Sequence, residues 1–167
     1  MKVYLGSDHA GFSLKEAIKT FLTENGYDVE DCGAPTLDPE DDYTQYIPPV
    51  AQKVSQDSAS KGIIFGGSGQ AEAMLANKFP QIRAAVFYGP VLPKEKIDVE
   101  GTVSIDPLAM IWLTRQHNDA NILSLGARFL TEGQAKEAVE KWLTTDFSHA
   151  KRHERRIEQM KEIAEKV

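Results

Sequence analysis

The chain has 167 residues, 41% hydrophobic and 26% charged, which suits one globular domain with a real core. Its net charge of -6 argues against bulk electrostatic binding to nucleic acid, while leaving room for a local basic pocket. The single cysteine, Cys32, excludes an internal disulfide and suits a reducing compartment, and no apolar run approaches membrane-spanning length.

Met1 leads directly into strand-like KVYLG with no basic and apolar leader, so a cytoplasmic protein with no membrane partner is expected. Residues 3–6 read as a buried strand. Leu14, Ile18, Phe21 and Leu22 then recur at helical spacing, with Gly26 as the stop. Residues 27–32 read as a second short strand, and the polar, acidic 36–46 as a loop. A helix is expected over 47–54, with Pro48 and Pro49 in its first turn, where their missing N–H groups cost least. A third strand over 62–65, a helix over 71–79 and a fourth strand over 82–87 follow. The rhythm breaks at 88–105, where IDV and TVSI could pair as a small hairpin around Glu100-Gly101. Asp106 and Pro107 read as the cap and first residue of a helix through Arg115. A fifth strand over 121–126 precedes a helix over 135–143, whose Thr131 and Gln134 have capping-box spacing. Ser148 reads as the cap of a last helix with Ile157, Met160 and Ala164 as its apolar stripe. Alternating strands and helices of these lengths predict a mostly parallel sheet covered on both faces.

In such folds ligand chemistry sits at the carboxyl ends of strands. The first strand delivers Asp8 and His9, an acid beside the side chain whose charge switches most easily near neutral pH; a polar pair satisfying loop amides is an equally good account. The third strand delivers Gly66-Gly67-Ser68-Gly69, whose small residues let backbone N–H groups converge on an anion. It reads G-x-G-x-x-E rather than a dinucleotide fingerprint and lacks a following Gly-Lys-Ser/Thr, so a nucleotide is disfavoured. Glu72 follows in the first helical turn, a place that acidic residues also occupy for dipole reasons alone. Shielded from water it would have a raised pKa and serve as a general base beside an oxyanion-holding loop.

Arg128 follows the fifth strand, well placed for a phosphate. Arg152 and Arg156 are four residues apart on one helix face, a plausible phosphate clamp, although a solvated helix is the commoner use of such a run. Arg115, His117 and Asn118 end a helix, where a cation and cap residues are expected in any case. No metal-ligand spacing is visible, and Trp112 and Trp142 read as packing residues.

Taken together, GSDHAGFSLK, DCG, DDY, GGSGQAEAMLANKFPQIRA, RQHNDANILSLGAR and KRHERRIE span nearly the whole chain outside 89–105. In these segments the sequence resembles the type B ribose-5-phosphate isomerases, a family that includes galactose-6-phosphate isomerase subunits. The resemblance implies a Rossmann-like three-layer αβα sandwich over 1–167, with a five-stranded mostly parallel sheet and no cofactor. It further implies a homodimer with active sites at the interface, pairing into tetramers being left open, and a C-terminal helix over 148–166 packed on the partner. By the same resemblance, Asp8 and His117 open the sugar ring, and Gly67, Ser68, Gly69, Gln70 and Ala71 form the anion hole. His9, Arg128, Arg152 and Arg156 hold phosphate, Asn118 contacts hydroxyls and Tyr43 lines the pocket.

One branch of the family carries a catalytic cysteine where this chain has Gly66. The other carries a glutamate at the position of Glu72, here preceded by Ala71 rather than glycine. Cys32 is not at the cysteine position and is assigned no chemistry. The expected reaction is interconversion of D-ribose 5-phosphate and D-ribulose 5-phosphate through a cis-enediolate, with Glu72 as base. The insert at 89–105, absent from close relatives, leaves open a hexose 6-phosphate substrate or a sugar-phosphate-binding protein without turnover.

Overall fold

The computed structural model describes residues 1–166; Val167, the last residue of the expected domain, lies outside them. Five strands, β1 (Lys2–Ser7), β2 (Asp28–Asp31), β3 (Lys61–Gly66), β4 (Ala84–Phe87) and β5 (Ile122–Gly126), form one sheet in the order β2-β1-β3-β5-β4. Every pairing is parallel, so each connection must climb back over a face of the sheet. The four connecting helices are α1 (Phe12–Glu24), α2 (Tyr43–Gln56), α3 (Gln70–Ala76) and α4 (Ala109–Asn118), while α5 (Glu132–Leu143) and α6 (Lys151–Ala164) follow the last strand.

Strand residues alternate between two cores because successive side chains leave opposite faces of the pleat. Val3, Leu5, Ile63, Phe65, Leu123 and Leu125 pack with α1, α4 and α5 around the fully buried Trp142. Tyr4, Ile64 and Ile122 pack with Ile47, Val50, Ala51 and Val54 of α2 and Ala76 of α3. Each leucine- or isoleucine-sized side chain so buried contributes about 1.5–3 kcal/mol. The three-layer αβα sandwich implied by the resemblance is therefore present. Among the described residues no helix is long and apolar enough to cross a membrane.

Several local expectations are corrected. Helix α2 begins at Tyr43 inside the segment expected to be loop, and Pro48 and Pro49 lie in its second turn rather than its first. The two prolines leave the carbonyls of Thr44 and Gln45 without the usual donors four residues on. The helix persists because its buried face lies close on β1: a Cβ on Gly6 would come within 2.7 Å of Val50 Cγ2 and 2.9 Å of the Tyr46 carbonyl. The expected hairpin at 97–105 is absent as a ladder. Ile97 donates to the Thr102 carbonyl at 2.9 Å, but the Asp98 carboxylate takes the Thr102 N–H at 2.9 Å and closes a local turn instead. Val99, Val103 and Ile105 stay exposed, with no sheet face to cover them.

Helix α4 is preceded by Leu108 rather than capped by Asp106, whose carboxylate accepts from the Leu108 N–H at 2.9 Å one turn earlier and also binds Trp112 and Lys141. That helix also runs on to Asn118, and α3 stops at Ala76. Ala150, not Ser148, precedes α6; Ser148 Oγ instead meets His153 Nδ1 at 2.9 Å. The Thr131–Gln134 capping box forms as expected.

This wiring places the chemistry. Helix α1 leaves β1 toward one face and α3 leaves β3 toward the other, so the carboxyl ends of these neighbouring strands open a crevice.

Candidate active site

The crevice is built from two strand ends. Beyond β1, Asp8 is 6% exposed and its carboxylate accepts the Ala10 N–H at 3.0 Å, which fixes the turn into α1. His9 is held differently. Asp41 Oδ1 accepts from the His9 backbone N–H and lies against its Nδ1, both at 2.8 Å. That hydrogen bond, with the negative charges of Asp41 and Asp8, holds the His9 pKa above its ordinary value despite some desolvation. With Nδ1 committed to Asp41, only Nε2 is left to meet a ligand, and in its charged form the ring is a cation for an anionic group.

Beyond β3 the chain passes through the glycine loop into α3. Gly69 takes φ 74, the left-handed conformation that L side chains rarely adopt, and the backbone of β5 lies against it: a Cβ there would be 3.0 Å from the Leu125 carbonyl carbon. Ser124 Oγ donates to the Gly69 carbonyl at 2.6 Å, and the Ser68 hydroxyl accepts the Gln70 N–H at 3.4 Å. The loop is thus tied to β5 with Gly67, Ser68, Gly69, Gln70 and Ala71 in succession at the crevice. Arg128, just past β5, donates its N–H to the Gly67 carbonyl at 3.1 Å, and its guanidinium lies over Gly67.

Glu72, in the first turn of α3, is 5% exposed and faces Gly66, where an added Cβ would sit 1.9 Å from Oε1. The carboxylate occupies the space that any side chain at Gly66 would need. Burial raises its pKa, outweighing the bond it accepts from its own backbone, and the charge of Asp8 adds to the rise. A carboxylate so placed is a stronger base than a solvated one. Tyr43, half-buried at the start of α2, packs on the neighbouring core.

The remaining predicted residues lie elsewhere in the chain. His117 and Asn118 end α4, four residues ahead of β5, and so sit at the amino edge of the sheet. Arg152 and Arg156 line a cavity of about 290 Å³ with His117 and His153. Burial, then the charges of His153 and Arg152, pushes the His117 pKa down, and its ring lies 4.3 Å from that of His153. The structure therefore brings Asp8, His9, Glu72, the glycine loop and Arg128 to one edge of the sheet. His117, Asn118, Arg152 and Arg156 stand at the other, and the two sets do not meet within one chain.

Asp41 was missing from the sequence reading. The DDY triplet was its only signal, and its 8% exposure is what separates it from a solvated acid. Asp8, His9 and Asp41 are also the one group among the described residues whose donor atoms lie within 4.8 Å, although His9 Nδ1 and Asp41 Oδ1 are already engaged with each other. Burial raises the Cys32 thiol pKa, which suits its assignment of no chemistry. Arg115 proves structural: buried, it binds Asp119 Oδ1 at 2.7 Å and the Ala120 carbonyl at 2.6 Å.

The sequence profile of the Ribose/Galactose Isomerase family matches residues 3–94 and 107–160, leaving 95–106 outside it. Ribose-5-phosphate isomerase B of Mycolicibacterium paratuberculosis is 37% identical over 158 residues, 95% of this chain and 88% of the relative. A Clostridium thermocellum ribose-5-phosphate isomerase B structure superposes with a TM-score of 0.84 at 35% identity over 99% of both chains. The Mycoplasma genitalium enzyme, solved with bound ribulose-5-phosphate, gives 0.85 at 29% identity over 99% of this chain and 97% of its own. With matched segments that contain both strand ends and the basic helix, the chain belongs to the Ribose/Galactose Isomerase family.

Proposed function

We propose that this protein interconverts D-ribose 5-phosphate and D-ribulose 5-phosphate, with Glu72 as the base. The observation that carries the reading is the buried Glu72 carboxylate, its pKa raised, beside the glycine loop in the space that Gly66 leaves free. The names of the relatives supply the substrate class. In the ring-opened aldose Glu72 removes the C2 proton and returns it to C1. The O2–H proton shifts to O1, so C2 gains the carbonyl and C1 becomes the alcohol carbon. The negative oxygen of the enediolate between these steps is held by the loop N–H groups of residues 67–71.

The reading requires two copies of the chain, each completing the other's site as a homodimer with the terminal helix packed across the contact. Only His153 of α6 is buried within one chain, and Met160 and Ile163 are left more than half exposed, which supports such packing. His9 and Arg128 of one subunit, with Arg152 and Arg156 of the partner subunit, hold the phosphate through charge-assisted hydrogen bonds. Asp8 works with His117 of the partner subunit on ring opening. A lowered pKa keeps that imidazole neutral near pH 7, able to accept a proton at one nitrogen and donate from the other.

NMR of the protein with D-ribose 5-phosphate in deuterated water tests the chemistry. Deuterium entering C1 of ribulose 5-phosphate as it accumulates, and C2 of ribose 5-phosphate re-formed from it, is the expected result, and Glu72→Gln should slow both about 10²- to 10⁴-fold. Near-wild-type turnover by folded Glu72→Gln refutes the assignment of the base. Exchange with allose or galactose 6-phosphate alone moves the activity to six-carbon substrates. Phosphate-dependent binding without exchange moves it to a binding role.

A further inference from the structure

The segment 95–106 that falls outside the family match reaches the basic cluster at the amino edge. Lys96, Ile97, Asp98 and Val99 form one wall of the cavity that His117, Arg152 and Arg156 line. Beyond that wall Glu100 grips Arg152 with both carboxylate oxygens, Oε1 accepting from Nη1 at 2.6 Å and Oε2 from Nη2 at 3.0 Å. The Nε of Arg152 is turned to His153 Nε2 at 3.2 Å. A guanidinium has two edges for a bidentate acceptor, the Nη1/Nη2 end and the Nε/Nη2 side. Glu100 fills the first and His153 takes the Nε of the second, so Arg152 presents neither edge whole to a phosphate.

The contact is built by the loop rather than left to a wandering side chain. Val91 N–H donates to the Pro107 carbonyl at 2.8 Å and closes the neck of the insert. Above it, the Asp98 carboxylate takes the Thr102 N–H at 2.9 Å, and Gly101, at φ 88, donates to the Asp98 carbonyl at 3.3 Å. Glu100 stands inside that turn.

We propose that Glu100 acts through Arg152 as an internal competitor for the substrate's phosphate, so that the insert sets how tightly the site holds the anionic end. A phosphate carries more charge than the carboxylate and also draws on Arg156, and it displaces Glu100 when it binds. The inference rests on Arg152 being a phosphate ligand, as proposed above. Arg152 and Glu100 are 32% and 56% exposed, so solvent weakens the pair, and its removal is expected to change affinity about two- to fivefold.

The test uses Glu100→Gln, which keeps the shape and removes the charge. Glu95→Ala, an exposed acid in the same insert, is the control for net charge. Inorganic phosphate is titrated into each intact protein by calorimetry, and KM and kcat for ribose 5-phosphate are measured separately. Glu100→Gln should bind phosphate two- to fivefold tighter and lower KM by the same factor with a much smaller change in kcat, while Glu95→Ala matches wild type. Unchanged or weaker phosphate binding by Glu100→Gln overturns the proposal, weaker binding showing that Glu100 orients Arg152 for the ligand. Equal tightening by Glu95→Ala overturns it in favour of net charge, and no phosphate binding by any form overturns it outright. If ribose 5-phosphate is not turned over, tighter phosphate binding by Glu100→Gln still supports the competition, and only the isomerase reading falls.

Discussion

Gly66→Ala places a methyl group where the Glu72 carboxylate stands, 1.9 Å from Oε1, 2.0 Å from Cδ and 2.4 Å from Oε2. Carbon atoms settle about 3.5–4.0 Å from their non-bonded neighbours, so the carboxylate must retreat by roughly 1 Å or more. The backbone does not need to follow. Gly66 pairs in register with Gly126, and its carbonyl accepts the Ala127 N–H at 2.8 Å, neither of which involves a side chain. Alanine also gains about 0.5–1 kcal/mol over glycine in a strand, which offsets part of the crowding. The fold should therefore survive, with urea unfolding changed by about 1 kcal/mol at most, while the base is misplaced. A displacement of about 1 Å costs on the order of 10²-fold in rate, or about 2.7 kcal/mol of barrier. The expected result is a hundredfold fall in kcat, read by ribulose 5-phosphate formation, without a comparable fall in stability. The double variant Gly66→Ala/Glu72→Gln should be no slower than Glu72→Gln alone, because both changes act through one group. A folded Gly66→Ala protein with kcat within threefold of wild type would sink this reasoning, as would a further hundredfold loss in the double variant.

Asp41→Asn removes the largest cause of the raised His9 pKa. On the proposed reading phosphate binding uses the imidazolium, so kcat/KM should fall as pH rises through the His9 pKa, and the variant should bring that limb down toward 6.5 while an acid limb set by Glu72 stays above 4.5; an unmoved basic limb refutes the link. Lys15→Met should cost about 3 kcal/mol in urea unfolding, because Lys15 is fully buried with its ammonium 2.5 Å from Asp31 and 2.6 Å from Glu16; a wild-type midpoint would contradict this. Burial pushes the Asp31 carboxyl up, but hydrogen bonds from Lys15 and Lys19 outweigh it and hold the pKa low, so its stabilisation is present above the unfolded value, 3.8, and lost as pH falls through the folded one. In Lys15→Met that loss on acidification should shrink. Glu72→Gln and His117→Ala subunits, each expected to be inactive alone, should regain roughly a quarter of wild-type activity when unfolded and refolded together in equal amounts, since in the proposed homodimer half the pairs would be hybrids with one intact site. No recovery would mean the site does not draw these two residues from different chains.

What could be read from the sequence follows from how local each decision is. The glycine loop, Glu72 and the Thr131 capping box depend on a few neighbouring residues, and they stand where the sequence places them. Pro48 and Pro49 suit a first helical turn, so the sequence points to a later start than Tyr43 for helix α2, and packing on Gly6 explains why the chain keeps them in its second turn. The hairpin at 97–105 failed for the opposite reason: its residues suit strands, but Val99, Val103 and Ile105 have no face to cover. The charge pairs that tune the site are long-range. Asp41 lies 32 residues from His9, and Glu100 lies 52 from Arg152, so which acid meets which cation depends on loop paths that no local pattern encodes. One long-range fact was available without coordinates. In a parallel sheet, residues that follow a strand and residues that precede one lie on opposite edges. His9, Glu72 and Arg128 follow strands; His117 and Asn118 precede one. The proposed site uses both sets, so on the order of elements alone it would have to be assembled between chains.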